Sequence, residues 1–543
     1  MENLTNEEKD YYEILVDLLD NGEISDGERN ILNKRKEKYS ISDSRASEIE
    51  EFAREERLKN LKPQNDSEAS YYELILDFME NGNVSESNRK ILTKRMEKYG
   101  ITETRAKELE EFANANNINT SNNLFEQGKS YYYNKQYKEA IEVFKKSIEL
   151  NPNNKKSYEG LGRSYYNNEQ YQEAVESFLK TVELDPNSDT NWYWLGLSYN
   201  GRKQYQDAIK SLLKAVGLNS KEDKNFYWLG ISYCNNEQYQ EAIESLLKAA
   251  ELNPKEKDIV GLLGYSYYLN GQYKEAIKYL LKSVELNAND DFNWYWLGRS
   301  YNDNGEYQEA INSLLKAIQL VPNSPEYWHW LGISYCDNEQ CQEAINSFLK
   351  AIELNSNDYY LDWYWLGLSY CNNEQYKEAI ESLSKSVQLY QNYSSSWNML
   401  GLSYQQNKQY KEAIEPLLKA VELNPDYNNN YNLLGKSYYM IGQYKNAIYY
   451  FLKSIEINLN DFTYWNFLGE SYVFNKEYEE AIEPLLKAVE LNPNDCDSWY
   501  LLGASYIIIG EEDNAKIALK KTLEINPNHK EAKNNLKKLN SWW

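Results

Sequence analysis

The chain has 543 residues, with 59 Lys and Arg against 84 Asp and Glu, a net charge of −25 and two histidines. The acidic balance argues against nucleic acid as the main partner, since binding its phosphate backbone takes an excess of Lys and Arg, though it leaves room for a locally basic patch. With His329 and His529 alone, neither a conventional catalytic triad nor a His-based zinc site is expected. No run of 18 apolar residues occurs, and the start MENLTNEEKDYYEILVDLL has no basic segment leading into an apolar core. The expectation is a soluble, cytoplasmic protein without a membrane partner.

In chain order, residues 1–60 and 61–120 read as two copies of a three-helix module. Tyr11 to Ala53 matches Tyr71 to Ala113 at most apolar positions, with breaks at Asn21-Gly22 and Ser40 in one copy and at Asn81-Gly82 and Gly100 in the other. Leu15, Leu18, Leu19, Ile24, Ile31, Leu32, Ile41, Ile49 and Phe52 are expected to form a small core. So small a core is marginal alone, so the copies should pack on each other or on the segment after residue 120. Asp17, Asn21, Gly22, Ile24 and Glu28 mimic part of a calcium loop, but Leu19 stands at a ligand position, and the second copy has Met79 and Asn88 where ligands are required. The basic runs at Lys34-Arg35-Lys36 and Lys94-Arg95 are broken by Glu37 and Glu97 and read as solvated helix faces. A linker from Leu58 to Asn65 separates the copies, and the Asn-rich stretch from Asn114 to Asn123 joins the second to the remainder.

From residue 121 to 529 a pattern recurs every 34 residues, twelve times. With Asp189 as position 1, Gly stands at position 8 (Gly128, Gly162, Gly196 and so on to Gly503) and Ala at 20 (Ala140 to Ala515). A bulky apolar group usually sits at 4, Leu at 7, Tyr at 11, Leu or Phe at 24 and a small residue at 27. The one slip in register is near Tyr359 or Tyr360. Apolar spacing predicts two helices per unit, over positions 2–14 and 15–30. Pro at 32 (Pro152, Pro186, Pro254, Pro322, Pro425, Pro493, Pro527) is expected to stop the second helix, with less sharp turns at Ser220, Ala288, Ser356, Gln391 and Leu459. Pro416 and Pro484, inside second helices, should bend them. Residues 530–543 read as a capping helix with Ala532, Leu536 and Leu539 on one face and with Trp542 and Trp543 folding back.

This pattern resembles the tetratricopeptide repeat family. The resemblance implies an all-α, right-handed superhelical solenoid of antiparallel helix pairs, preceded here by a small helical region. It also implies that the first helices line a concave groove for partner segments. Positions 2, 5, 6, 9, 12 and 13 fall opposite the packed face of the first helix. They give a basic entrance at Lys129 and Arg163 with Tyr132 and Tyr166. An aromatic row follows at Tyr193, Tyr227, Tyr295, His329 and Tyr364, and an amide row at Asn398, Asn432 and Asn466. Beside them position 6 holds Trp194, Trp228, Trp296, Trp330 and Trp365, expected to pack between repeats, with Gly261 and Leu262 as a gap in both rows.

Catalytic chemistry is not expected. Gly-Leu-Ser-Tyr at Gly196, Gly367 and Gly401 lacks the closing Gly of a nucleophile elbow and sits in a helix, and Gly435-Lys436-Ser437 lacks the rest of a phosphate loop. Cys234, Cys336, Cys341, Cys371 and Cys496 read as free thiols, and the carboxylates as solvated helix faces of the Glu244–Lys248 kind. The expected function is a scaffold or adaptor holding a protein or peptide partner, without cofactor or metal; the alternative is a receptor for a carbohydrate stacking on the aromatic row.

Overall fold

A computed structural model describes residues 4–19, 24–80, 83–355 and 359–541. The chain divides into two units, Met1–Pro254 and Lys255–Trp543.

The first unit opens with α1 (Asn6–Leu18), α2 (Asp26–Lys38) and α3 (Asp43–Leu61). Thr5 with Glu8 and Ser25 with Glu28 form capping boxes that satisfy the first backbone donors of α1 and α2. Glu28, one of the calcium-loop residues, is therefore engaged with Ser25; Asn21 and Gly22 lie outside the described residues, as does the Asn81-Gly82 break. The second copy has α4 (Asp66–Phe78), a short antiparallel pair β1 (Met79–Glu80) and β2 (Asn83–Val84), α5 (Glu86–Tyr99) and α6 (Glu103–Tyr133). The sequence pattern, read as helices throughout, does not show the strand pair.

The two cores match at six buried positions. Tyr11, Leu15, Leu32, Ala46, Ile49 and Ala53 are buried in one, and Tyr71, Ile75, Leu92, Ala106, Leu109 and Ala113 in the other. The ion pairs recur as well: Arg45–Glu8 and Arg105–Glu68, Arg29–Glu50 and Arg89–Glu110. Ile31, expected in the core, is 48% exposed, and buried Tyr11 takes part in the core instead. Ser40 and Gly100 both adopt the left-handed conformation at the turn before the third helix. Arg57 of α3 pairs with Glu111 of α6, joining the copies.

The Asn-rich stretch is not a loop. α6 runs through it for 31 residues, because no Gly or Pro interrupts it before Gly128 and because both of its ends are packed. Its first half buries Ala106, Leu109 and Ala113 in the module; its second half is the first helix of repeat 1 and buries Ser121 and Gly128. The boundary expected at residue 120 falls inside one rigid element.

The repeats follow as antiparallel helix pairs, for example Lys155–Asn167 with Tyr171–Leu184 and Asp189–Gly201 with Tyr205–Leu218. Position 8 must be Gly because position 24 lies against it: a Cβ on Gly196 would stand 2.6 Å from Leu212 Cγ, and one on Gly162 2.8 Å from the Phe178 ring. Position 20 is Ala and fully buried, as at Ala174, Ala208 and Ala242. The turn residue at position 15 is left-handed in every repeat, Gly in four and Lys or Glu in eight.

The second unit contains repeats 5 to 12, from Lys257–Leu269 with Tyr273–Leu286 to Cys496–Ile509 with Glu512–Ile525, and a last helix, Lys530–Ser541. Ala532 in that helix is fully buried; Trp542 and Trp543 lie outside the described residues. Second helices end at position 30 with or without proline, at Leu286 and Ile457 as at Leu423 and Leu491. The stop comes instead from position 31, which turns extended. Where it is Asn, its side chain often accepts from the backbone two residues on, as in Asn287 with Asn289 N (3.3 Å) and Asn458 with Asn460 N (3.1 Å). Ser356 lies outside the described residues. Pro416 opens its helix, which begins only at Ile414, with Tyr410–Ala413 in turns, whereas the helix Tyr478–Leu491 runs through Pro484. Among the described residues no helix is long and apolar enough to cross a membrane.

Candidate functional site

The expected groove residues divide into those committed to the next repeat and those that border space. In repeats 6, 7, 9 and 11 position 5 reaches forward to position 2 or 3 of the following first helix. The Tyr295 hydroxyl donates to Glu326 at 2.6 Å, and its ring stacks on Tyr327 at 4.9 Å, leaving Tyr295 2% exposed. His329 Nδ1 lies 2.5 Å from Asp362 Oδ1. Asn398 donates to Asn430 Oδ1 at 2.6 Å and Asn466 to Ser498 Oγ at 2.7 Å. Asn432 is half-buried, with its side-chain oxygen buried and without a hydrogen-bond partner. Position 5 is thus part of the seam between repeats here, a role that single-repeat helical projection does not reveal because the partner lies 31 to 33 residues away.

Tyr364 packs edge-on against Trp365 and Tyr393, and burial pushes its hydroxyl up to about 12. Tyr193 borders a cavity of about 430 Å³ with Asp189, Glu222 and Lys224, and burial likewise pushes its hydroxyl up to about 12. Tyr227 lies edge-on to Trp228 at 6.0 Å. Tyr166 packs against Trp194 at 5.4 Å.

Position 6 rings fill the space between repeats. Trp194 stacks on Phe178 of the preceding repeat at 6.1 Å and carries the Arg163 guanidinium at 5.1 Å. Trp296 lies under Arg299, whose guanidinium is 4.5 Å from it and 3.9 Å from Trp330, and contacts Tyr265, Tyr268 and Phe292.

Three candidates come together. Lys129, Tyr132 and Arg163 line one cavity of about 310 Å³ between the first helices of repeats 1 and 2. Phe125, Phe144, Lys156 and Gly160 line it as well and were missed from the sequence. The signal was available: position 6 is Gly only at Gly160.

Positions 10 and 12 explain other motifs. Ser198, Ser369 and Ser403 of the Gly-Leu-Ser-Tyr segments are buried and donate to the carbonyl four residues back at 2.7–2.8 Å. Cys336 and Cys371 contact Ser369 and Ser403 of the next repeat, at 3.1 and 2.9 Å; all five cysteines are half-buried and outside any disulfide. Lys248 pairs with Glu251 at 2.7 Å rather than with Glu244. One group could hold a metal ion among the described residues: Cys496, Asp497 and His529, with ligand atoms within 4.8 Å of one another. It fits a metal poorly, since His529 Nδ1 already accepts the Ala532 N–H at 3.2 Å and burial, with Asp497 and Asp495 nearby, raises the Cys496 thiol pKa.

No curated protein matches the chain. Among solved structures, it is similar to the anaphase-promoting complex hetero-tetramer Cut9–Hcn1, at 17% identity over 77% of this chain and 96% of that one, with a TM-score of 0.35. YrrB, described as a TPR protein with an unusual peptide-binding site, is 24% identical over 35% of this chain and 96% of its own, with a TM-score of 0.32. Yeast Tom70 is 18% identical over 78% and 95%, with a TM-score of 0.30. The family model described as anaphase-promoting complex, cyclosome, subunit 3 matches residues 176–249, 246–317, 350–420 and 442–522. Tetratricopeptide repeat models match 125–189, 298–338, 325–358 and 398–461. These matches run from residue 125 to residue 522, and the chain belongs to the tetratricopeptide repeat family.

Proposed function

We propose that the protein is a non-catalytic, cytoplasmic scaffold that holds a segment of a protein partner against its first helices. The observation that carries this reading is the cavity at Lys129, Tyr132 and Arg163, where an apolar floor and charged rim lie open between two rigid repeats. Elsewhere the first helices add bordering tyrosines such as Tyr193, so that weak contacts along a segment sum through avidity. A carbohydrate receptor would need open indole faces. Phe178 and Arg163 cover Trp194, and rings and Arg299 surround Trp296, so that reading gains no support from the packing.

The test is selection of peptides from a random display library on the full chain, followed by titration against Lys129→Glu and Tyr193→Ala. Selected peptides should bind the wild type and lose affinity for at least one variant while circular dichroism stays unchanged. Peptides that bind both variants as they bind the wild type would place the work away from the first helices and refute the reading.

A further inference from the structure

Away from the first helices, the second helices expose a row of leucines at position 25, among them Leu213, Leu349, Leu418 and Leu486. Two cavities lie along that row. One, of about 600 Å³, sits between the second helices of repeats 8 and 9 and is lined by Val387, Trp397, Glu415 and Leu418. The other, of about 570 Å³, sits on the second helix of repeat 11 and is lined by Trp465, Glu479, Ile482, Glu483 and Leu486. Repeats 9 and 11 are the two with proline at position 23. Six repeats have Ser there, and each of those hydroxyls donates to the carbonyl four residues back. Pro416 and Pro484 have neither that hydroxyl nor a backbone N–H, so the carbonyls of Glu412 and Glu480 lack both of those donors.

Each cavity has an indole for its floor. Trp397 and Trp465 are half-buried and pack inward on the core, and Nε1 of each donates at 2.8 Å to a carbonyl, that of Gln391 or Leu459. The polar edge is therefore satisfied, and among the described residues no other ring and no cation lies on either indole. The rims are acidic. Glu422 and Glu490 are paired with Lys419 and Lys487, but Glu415, Glu479 and Glu483 are exposed and have no ion pair among the described residues. An apolar ring face beside unmatched carboxylates suits a large apolar side chain carried on a basic segment.

The chain itself supplies such a segment. Residues 530–543 hold four lysines against one glutamate, Glu531, and carry Trp542 and Trp543. The helix Lys530–Ser541 stands where a thirteenth first helix would, with exposed Lys537 at the position that Gly holds in every repeat, so no second helix packs across it. We infer that residues 530–543 of a second copy dock at the repeat 11 cavity, the tryptophans on Trp465 and Leu486 and the lysines facing Glu479 and Glu483. That cavity has two unmatched carboxylates where the other has one. A copy's own tryptophans do not reach it: helices Cys496–Ile509 and Glu512–Ile525 stand between, at about 8–10 Å per packed helix, while two residues span about 7 Å. The protein therefore self-associates, as a closed dimer where two copies exchange these segments and as a longer chain where they do not. The first helices take no part, so this inference and the scaffold reading stand or fall separately.

Sedimentation velocity of the full chain from about 1 to 100 µM at low salt should show concentration-dependent association that salt reverses. Trp542→Ser with Trp543→Ser, and separately Glu479→Lys with Glu483→Lys, should each weaken it at least about tenfold with circular dichroism unchanged. A fluorescein-labelled peptide of residues 530–543 should bind the double tryptophan variant saturably by anisotropy. That binding should fall at least about tenfold when Leu486→Glu is added, and by less than about threefold with Leu418→Glu at the other cavity. The inference is overturned by a chain that stays monomeric throughout, by association that survives loss of both tryptophans, or by peptide binding that is absent or indifferent to Leu486→Glu.

Discussion

The same substitution made at two neighbouring glycines should change stability in opposite directions. Gly217 lies in the helix Tyr205–Leu218, and a Cβ there meets nothing within 4 Å. Gly217→Ala removes backbone freedom from the unfolded chain at no steric cost and should stabilise by about 0.5–1 kcal/mol. Gly196, on the facing helix, would place its Cβ 2.6 Å from Leu212 Cγ and 3.0 and 3.2 Å from the two methyl carbons. Carbon atoms pack at roughly 3.5–4.0 Å, so the overlap approaches an ångström. Leu212 is fully buried and has nowhere to swing. Overpacking of this kind costs about 1–3 kcal/mol, which outweighs the same helical gain and leaves Gly196→Ala destabilised by about 1–2 kcal/mol. A repeat array need not unfold in one step, so the readout is hydrogen exchange of repeat 3 amides rather than a single melting midpoint. Protection should rise up to about fivefold in Gly217→Ala and fall tenfold or so in Gly196→Ala. Equal stabilisation by both would mean that position 8 is not set by the residue at 24, and the packing argument for the whole array would fail.

Three further outcomes concern single seams. His329→Ala leaves the Asp362 carboxylate, whose side chain is 3% exposed, without its partner, and should cost about 3 kcal/mol, seen as faster exchange confined to repeats 7 and 8. Arg299→Ala removes a guanidinium lying within 5.0 Å of Tyr268, Trp296 and Trp330, from three successive repeats; a loss of about 2 kcal/mol is expected in urea, with partial recovery in Arg299→Lys. Burial, helped by Asp497 and Asp495 and opposed by the Tyr439 hydrogen bond, raises the Glu470 pKa above its ordinary 4.5. Its contribution is therefore complete below the ordinary value and lost as pH rises through the folded-state value, so Glu470→Gln should melt with the wild type near pH 4 and above it at pH 8. A wild-type advantage at pH 8 would show that the Tyr439 bond dominates instead.

What could be read from the sequence was what one repeat contains; what could not was what it shares with its neighbour. Gly196 and Ala208 announce a close helix pair by size alone, and the pair is there. Tyr295 looks like groove lining when its own helix is projected, and only the following helix, with Glu326 and Tyr327, turns it into a seam. The same holds for small position 27, which makes room for position 3 of the next first helix: Ser283 Oγ accepts from Asn293 at 2.9 Å, and Ser386 contacts Ser396 at 2.8 Å. Proline reads as the helix stop because it is the strongest local breaker, yet the stop survives without it at Asn287 and Asn458. The Asn-rich stretch misled for the opposite reason: its composition suggests a loop, while the packing at both ends of α6 holds it helical.

Departures from the repeat are where such an array can differ from a spacer, and two of them show how packing closes a gap. Gly261 replaces the ring at position 5 in repeat 5, and the vacancy is closed by the following repeat: a Cβ there would meet Asn293 Oδ1 at 2.6 Å, and Asn293 is 5% exposed and bonded to Ser283. Gly160 replaces the ring at position 6 in repeat 2, and the preceding repeat closes that vacancy: a Cβ there would meet the Phe144 ring at 2.5 Å, Phe125 packs on Phe144 at 6.0 Å, and Phe144 is 1% exposed. Both glycines break the pattern equally in sequence. They differ in which neighbour supplies the substitute, and what stays open beside Gly160 is the cavity of about 310 Å³ with its rim of Lys129, Lys156 and Arg163, not a face of Phe144.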